Sequence, residues 1–139
     1  MKRKRIIVTS LLLLTLCSVS SLKAAELKYS RFMTWKGERI LGKESTGNFK
    51  PGDNTRIVIS NNVTKAYGTP KSWNAKLSLR KKGALTYKSI YEMTQKDVAN
   101  KTWTYTIDKA GTYDMYFESI PVNGTTNPLD MNGMIETNL

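Results

Sequence analysis

The chain has no histidine and a single cysteine, Cys17, among 139 residues. These two shortages exclude much chemistry. Imidazole and thiolate metal sites, Ser-His and Cys-His dyads and an internal disulfide all need side chains that are missing. Proline is sparse as well, at 4 residues, and no stretch sustains a helical period. There is no glycine-rich phosphate loop, since "GDN" and "GTP" are turn tripeptides. The 11 acidic residues are spread singly. Asp114 and Glu118 share one face of an expected strand, but four residues at about 3.3 Å each hold them roughly 13 Å apart. A glycosidase pair needs about 5 to 9.5 Å. "SLRK" from Ser78 to Lys81 has the spacing of an S-x-x-K nucleophile, which works only on a helix and is divided between two faces by a strand. "NPLDMN" offers Asn127, Asp130 and Asn132, with one charge among them, too little for a calcium loop. A non-enzymatic protein with no cofactor and no metal is expected.

The N-terminus carries the basic run "KRKR" followed by 17 uncharged residues, Ile6 to Leu22. This is the pattern of a secretory signal peptide over 1–25, closing at Ala25 and leaving 26–139 as one domain. An uncleaved anchor is the alternative, although a membrane span usually takes about 20 residues. Cys17 follows Leu16, where a lipoprotein signal would place a small residue. Removing residues 1–25 takes five basic groups and no acid, so the net charge falls from +11 to +6. Much of the basicity therefore belongs to the signal, and no specific nucleic-acid partner is expected. A cysteine-free mature domain, the strong basic N-terminus and a chain rich in Lys, Asn and Thr fit a protein secreted by a Gram-positive bacterium.

From Lys28 onward, short alternating segments separated by Gly, Pro and Asn clusters predict an all-β fold, a single antiparallel β-sandwich of about seven strands after an N-terminal signal helix. In "NTRIVISN", Ile57 and Ile59 share a face. In "NAKLSLR", Ala75, Leu77 and Leu79 face inward, with Lys76, Ser78 and Arg80 opposite. "KKG" at 81–83 turns the chain into "ALTYKSIYEM", where Leu85, Tyr87, Tyr91 and Met93 share a side and Ile90 falls against it. "TQKDVANK" reads as a loop with room for one helical turn around Val98. "LDMNGMIET" supplies the last strand, with Leu129, Met131 and Ile135 inward.

"WTYTIDKAGTYDMYFES" has the clearest division of faces. Trp103, Tyr105 and Ile107, then Tyr113, Met115 and Phe117, point one way, and threonines, acids and Tyr116 point the other. The stretch reads as a hairpin turning at "DKAG", with Gly111 at a position of positive φ. A strand ending in D-x-x-G, then "TY" and a C-terminal strand, resembles the closing hairpin of small secreted bacterial β-sandwich proteins over residues 102–137. The resemblance implies a fold and no activity. The inward rings are core, each burying roughly 150–250 Å².

Candidate binding residues are a basic group and two rings in a turn. Lys76, Arg80, Lys81, Lys82 and Lys88 lie within 13 residues and no acid intervenes between 76 and 91. Lys76 and Arg80 are expected on the outer face and Lys81 and Lys82 at the tip. They suit an anionic envelope polymer or lipid surface, or else protect a strand edge. Tyr67 and Trp73, in "KAYGTPKSWN", suit sugar rings or lipid head groups. The expected function is a small exported binding or envelope-associated protein. A membrane-acting antimicrobial or toxin-like effector, or an inhibitor working through the 121–128 loop, competes with it.

Overall fold

The computed structural model describes residues 29–68 and 72–138, so the expected signal segment and Cys17 lie outside them. Alternation of apolar and polar residues produces strands β1 (Tyr29–Ile40), β2 (Lys43–Phe49), β3 (Thr55–Ala66), β4 (Asn74–Lys82), β5 (Tyr87–Lys96), β6 (Asn100–Ile107), β7 (Tyr113–Ile120) and β8 (Leu129–Asn138). They form two four-stranded sheets, A in the order β1-β8-β3-β6 and B in the order β2-β7-β4-β5. With every connection but β4-β5 stepping from one sheet to the other, this is the jelly-roll arrangement of a β-sandwich. Among the described residues there is no helix, and "TQKDVANK" is the end of β5, a short turn and the start of β6.

Most inward residues meet as expected, but Leu85 lies in the turn before β5 and is fully exposed. Ile57, Ile59, Ala75, Leu77, Leu79, Ile107, Met115, Leu129 and Ile135 are wholly buried, and Tyr113, Phe117 and Met131 nearly so. Rings bridge the two sheets: Trp35 of β1 packs on Phe117 of β7 with centroids 5.2 Å apart, and Tyr105 of β6 stacks on Tyr91 of β5 at 4.8 Å. A polar thread crosses the same core. The Trp35 indole N–H donates to Asn61 Oδ1 at 2.9 Å, and the Asn61 amide donates to Gln95 Oε1 at 2.9 Å. Gln95 in turn donates to the carbonyls of Val98 and Ala99 at 2.6 and 2.7 Å. Asn61 and Gln95 are both buried, so each bond takes the place of a lost water contact and ties sheet A to sheet B.

Two expectations are corrected. β6 and β7 do not form a hairpin: β6 pairs with β3 in sheet A, whereas β7 lies between β2 and β4 in sheet B. Alternation determines which side of a strand faces the core, and strands facing each other across about 10 Å of core show the same pattern as strands lying side by side. The connection carries the chain between sheets, held by Tyr113 Oη donating to the Lys109 carbonyl at 2.7 Å and the Ala110 N–H donating to Asp53 Oδ1 at 2.6 Å. Gly111 is not among the residues with positive φ. A Cβ there would stand 3.0 Å from Cε of Lys81, the far end of a flexible side chain that can move aside.

The β4-β5 hairpin forms as expected, with one irregularity. Leu79 pairs with Tyr91 but Arg80 pairs with Ser89, which leaves Ile90 as an extra residue in a β-bulge. The bulge explains why Ile90 falls out of phase. It also reverses parity beyond it, so Tyr87 stands on the outer face with Arg80 rather than beside Tyr91.

Candidate binding surfaces

The outer face of sheet B is where the structure places Lys76 and Arg80, and it brings acids to both. Register sets Lys76 of β4 opposite Glu118 of β7, and Arg80 opposite Asp114. Lys76 Nζ lies 3.0 Å from Glu92 and 3.6 Å from Glu118, which also receives Lys43 at 3.6 Å. The hydrogen bond to Glu92, aided by Glu118, raises the Lys76 pKa above 10.5. Arg80 grips Asp114 with two parallel bonds, Nε to Oδ1 at 2.8 Å and Nη2 to Oδ2 at 2.5 Å. Its guanidinium also lies over the rings of Tyr116 and Tyr87, 4.3 and 5.2 Å from their centroids, and Asp114 pushes its pKa further up. The Tyr87 hydroxyl continues the network to Asn48 at 2.8 Å. Lys76 and Arg80 are thus half-buried and internally paired, not free charges in water. The acids that answer them stand on β5 and β7, outside the window in which the sequence shows only cations.

Lys81, Lys82 and Lys88 occupy the far end of the same hairpin. Lys81 is directly opposite Lys88 across the strand pair and Lys82 is opposite Tyr87. Lys82 and Lys88 are exposed, and Lys81 reaches over the Tyr113 ring with Nζ 5.6 Å from its centroid. Lys81 and Lys109 line a recess of about 260 Å³ at this end of the sandwich, walled by Ile90, Tyr105 and Tyr113, with Asp108 its one acid.

The two candidate rings have structural partners. Tyr67 lies beneath Arg39, whose guanidinium is 3.6 Å from the ring centroid, and its hydroxyl donates to Asp130 at 2.6 Å. Trp73 packs against the core, and its backbone N–H donates to Asp97 Oδ1 at 2.7 Å. The Ser72 hydroxyl donates to the other oxygen of Asp97 at 2.6 Å, and together these bonds lower the Asp97 pKa below 3.8. The two rings are half-buried and separate from the lysine end, so the structure does not join them into one site. In the 121–128 loop, Asn123 and Gly124 have φ of 52° and 77°. They form a tight two-residue turn closed by bonds of 2.9 and 3.1 Å between Val122 and Thr125.

Sequence reasoning missed a groove of about 470 Å³ in sheet A, whose lining includes Asn62, Asn100, Asn132, Ser60 and Thr102 with Met134 and Trp35. Gly133, in mid-strand beneath it, marks a close approach on the core-facing side of the sheet. A Cβ at Gly133 would stand 2.2 Å from the Trp35 ring and 2.3 Å from the Ser60 carbonyl oxygen. Among the described residues no cluster of acidic side chains suits a metal ion.

No protein-family model and no curated protein matches the chain. Among solved structures, the CBM22-1 xylan-binding domain from Paenibacillus barcinonensis is similar with a TM-score of 0.51 and 10% identity, over 79% of this chain and 96% of that one. The periplasmic inhibitor of g-type lysozyme from Aeromonas hydrophila has a TM-score of 0.48 and 11% identity, over 79% and 88%. A CBM4 structure has a TM-score of 0.46 and 12% identity, over 70% of this chain and 61% of its own length. The likeness to the CBM22-1 domain, at 10% identity, extends to the fold and does not carry an activity across.

Proposed function

We propose that the chain is an exported, non-enzymatic binding domain whose lysine end contacts an anionic polymer or lipid surface of the cell envelope. The observation that supports this reading is the register of Lys81 against Lys88. Like charges directly opposite on paired strands oppose folding slightly, and Lys82 and Lys109 add to the same end. A ligand bearing several negative groups relieves that repulsion. Lys76 and Arg80, whose charges are met internally, serve to stiffen the sheet that presents the others. The reach of such a site is about one Debye length, roughly 8 Å at physiological salt, so only a densely charged surface is held.

The test is cosedimentation with phosphatidylglycerol vesicles and retention on immobilised teichoic acid, across a salt series. Binding to either is expected to weaken steeply as salt rises and to be lost in the Lys81→Ser/Lys82→Ser/Lys88→Ser variant at a melting temperature no lower than the parent's. Salt-independent binding, or a triple variant that binds like the parent, refutes the reading. Dye release from the vesicles would replace it with a membrane-acting one.

A further inference from the structure

The groove in sheet A has a chemistry unlike that of the lysine end. Register aligns Asn132 of β8, Asn62 of β3 and Asn100 of β6 in one row across three strands, and Met134, Ser60 and Thr102 in the row beside it. With strands about 4.8 Å apart and alternate residues about 6.7 Å apart, the two rows cover roughly 10 by 7 Å, the footprint of two joined pyranose rings. Ser60 and Thr102 touch through their hydroxyls at 3.3 Å. Asn100 and Thr102 are exposed, while Asn62, Asn132, Ser60 and Met134 are half-buried.

We propose that this groove binds a linear, uncharged polysaccharide. The Asn62 and Asn100 carboxamides each offer donors and an acceptor, and the bonded Ser60–Thr102 pair keeps one donor and further acceptor capacity, the pairing that sugar hydroxyls require because they donate and accept together. Met134 supplies apolar contact for the C–H faces of the sugar. None of the lining residues is acidic, so the groove neither attracts a cation nor holds the carboxylate pair that would cleave a glycoside. Two lysines stand at its rim, and one of them, Lys101, directs its ammonium to the Thr94 carbonyl at 2.9 Å. A polyanion would find little there. An extended peptide is a poor fit, because peptides add to the edges of sheets through backbone bonds. β8 and β3 are internal strands with both ladders already filled.

Titration calorimetry of the whole chain with cellohexaose, xylohexaose, mannohexaose and chitohexaose, in high salt, tests this. At least one glycan is expected to bind. Asn62→Ala and Asn100→Ala should each weaken that binding by about tenfold, the equivalent of one lost hydrogen bond, with melting temperatures unchanged. The Lys81→Ser/Lys82→Ser/Lys88→Ser variant should bind the glycan like the parent, which separates this site from the lysine end. No binding to any of the four, or binding that survives the double Asn62→Ala/Asn100→Ala change, overturns the proposal.

Discussion

Replacing Arg80 with alanine is expected to destabilise the protein more than replacing its partner Asp114 with asparagine. The Asp114 side chain is 4% exposed and that of Arg80 21%, so the two losses are unequal. Arg80→Ala removes both charged donors from a carboxylate that is 4% exposed in the parent. Breaking a buried pair from that side costs about 3–5 kcal/mol. Asp114→Asn leaves a guanidinium that still meets solvent, still lies over Tyr116 and Tyr87, and keeps one amide oxygen as acceptor. Its cost is about 1–2 kcal/mol, that of a weakened charged hydrogen bond. With a urea m-value of about 2 kcal/mol/M for a domain of this size, the midpoints should fall by roughly 2 M and below 1 M respectively. The Arg80→Met/Asp114→Leu double variant, which removes both charges, should recover much of the Arg80→Ala loss. Equal midpoints for the two single variants would refute the asymmetry. A parent-like midpoint for Arg80→Ala would show that the pair is not buried as described.

Other variants probe the core, the groove floor and the pH response. Phe117→Ala should cost about 3–5 kcal/mol in a denaturant melt, and Tyr116→Ala, on the opposite face of the same strand, much less. Gly133→Ala should cost about 3 kcal/mol by the same measurement, because the Ser60 carbonyl oxygen belongs to the backbone of β3 and cannot step aside. Gln95→Leu should cost about 1–3 kcal/mol, since it leaves the Asn61 amide and two backbone carbonyls without their partner. Asp97, whose pKa is lowered by bonds from Ser72 and Trp73, contributes stability above pH 3.8 that is lost as pH falls through its lower folded value. The melting-temperature gap between the parent and Asp97→Ala should therefore be constant at neutral pH and close in acid.

The faces of β3, β4 and β8 were legible because a two-residue period is a local property of the sequence. Ile57 and Ile59, Leu77 and Leu79, and Met131 and Ile135 all lie where alternation puts them. Pairing partners are not local, and this is why β6 and β7 read as neighbours. A bulge is equally hard to see, since one extra residue at Ile90 moves Tyr87 to the other face without changing the composition. The candidate lysines were legible as charges but not as a site. Whether a cation is free depends on what the adjacent strand carries, and Asp114 and Glu118 come from a distant part of the chain. Gln95 was hidden for a related reason: a polar residue in a polar stretch looks solvated until its amide is seen to bind Asn61 and the turn at 98–99.

β8 lies between β1 and β3, and its position dictates the order in which the protein can be assembled. The first strand made in sheet A has no neighbour to join until the last one arrives, because Ile57 of β3 is paired with Thr137 and β1 lies beyond that pairing. A chain emerging N-terminus first can close the β4-β5 hairpin early, but sheet A stays without its centre until residues 129–138 are free. Such distant pairings fold in milliseconds to seconds rather than microseconds. A nascent chain of this topology can pair β3 with β6 and β4 with β5 early, but cannot bring β1 into sheet A until β8 is made.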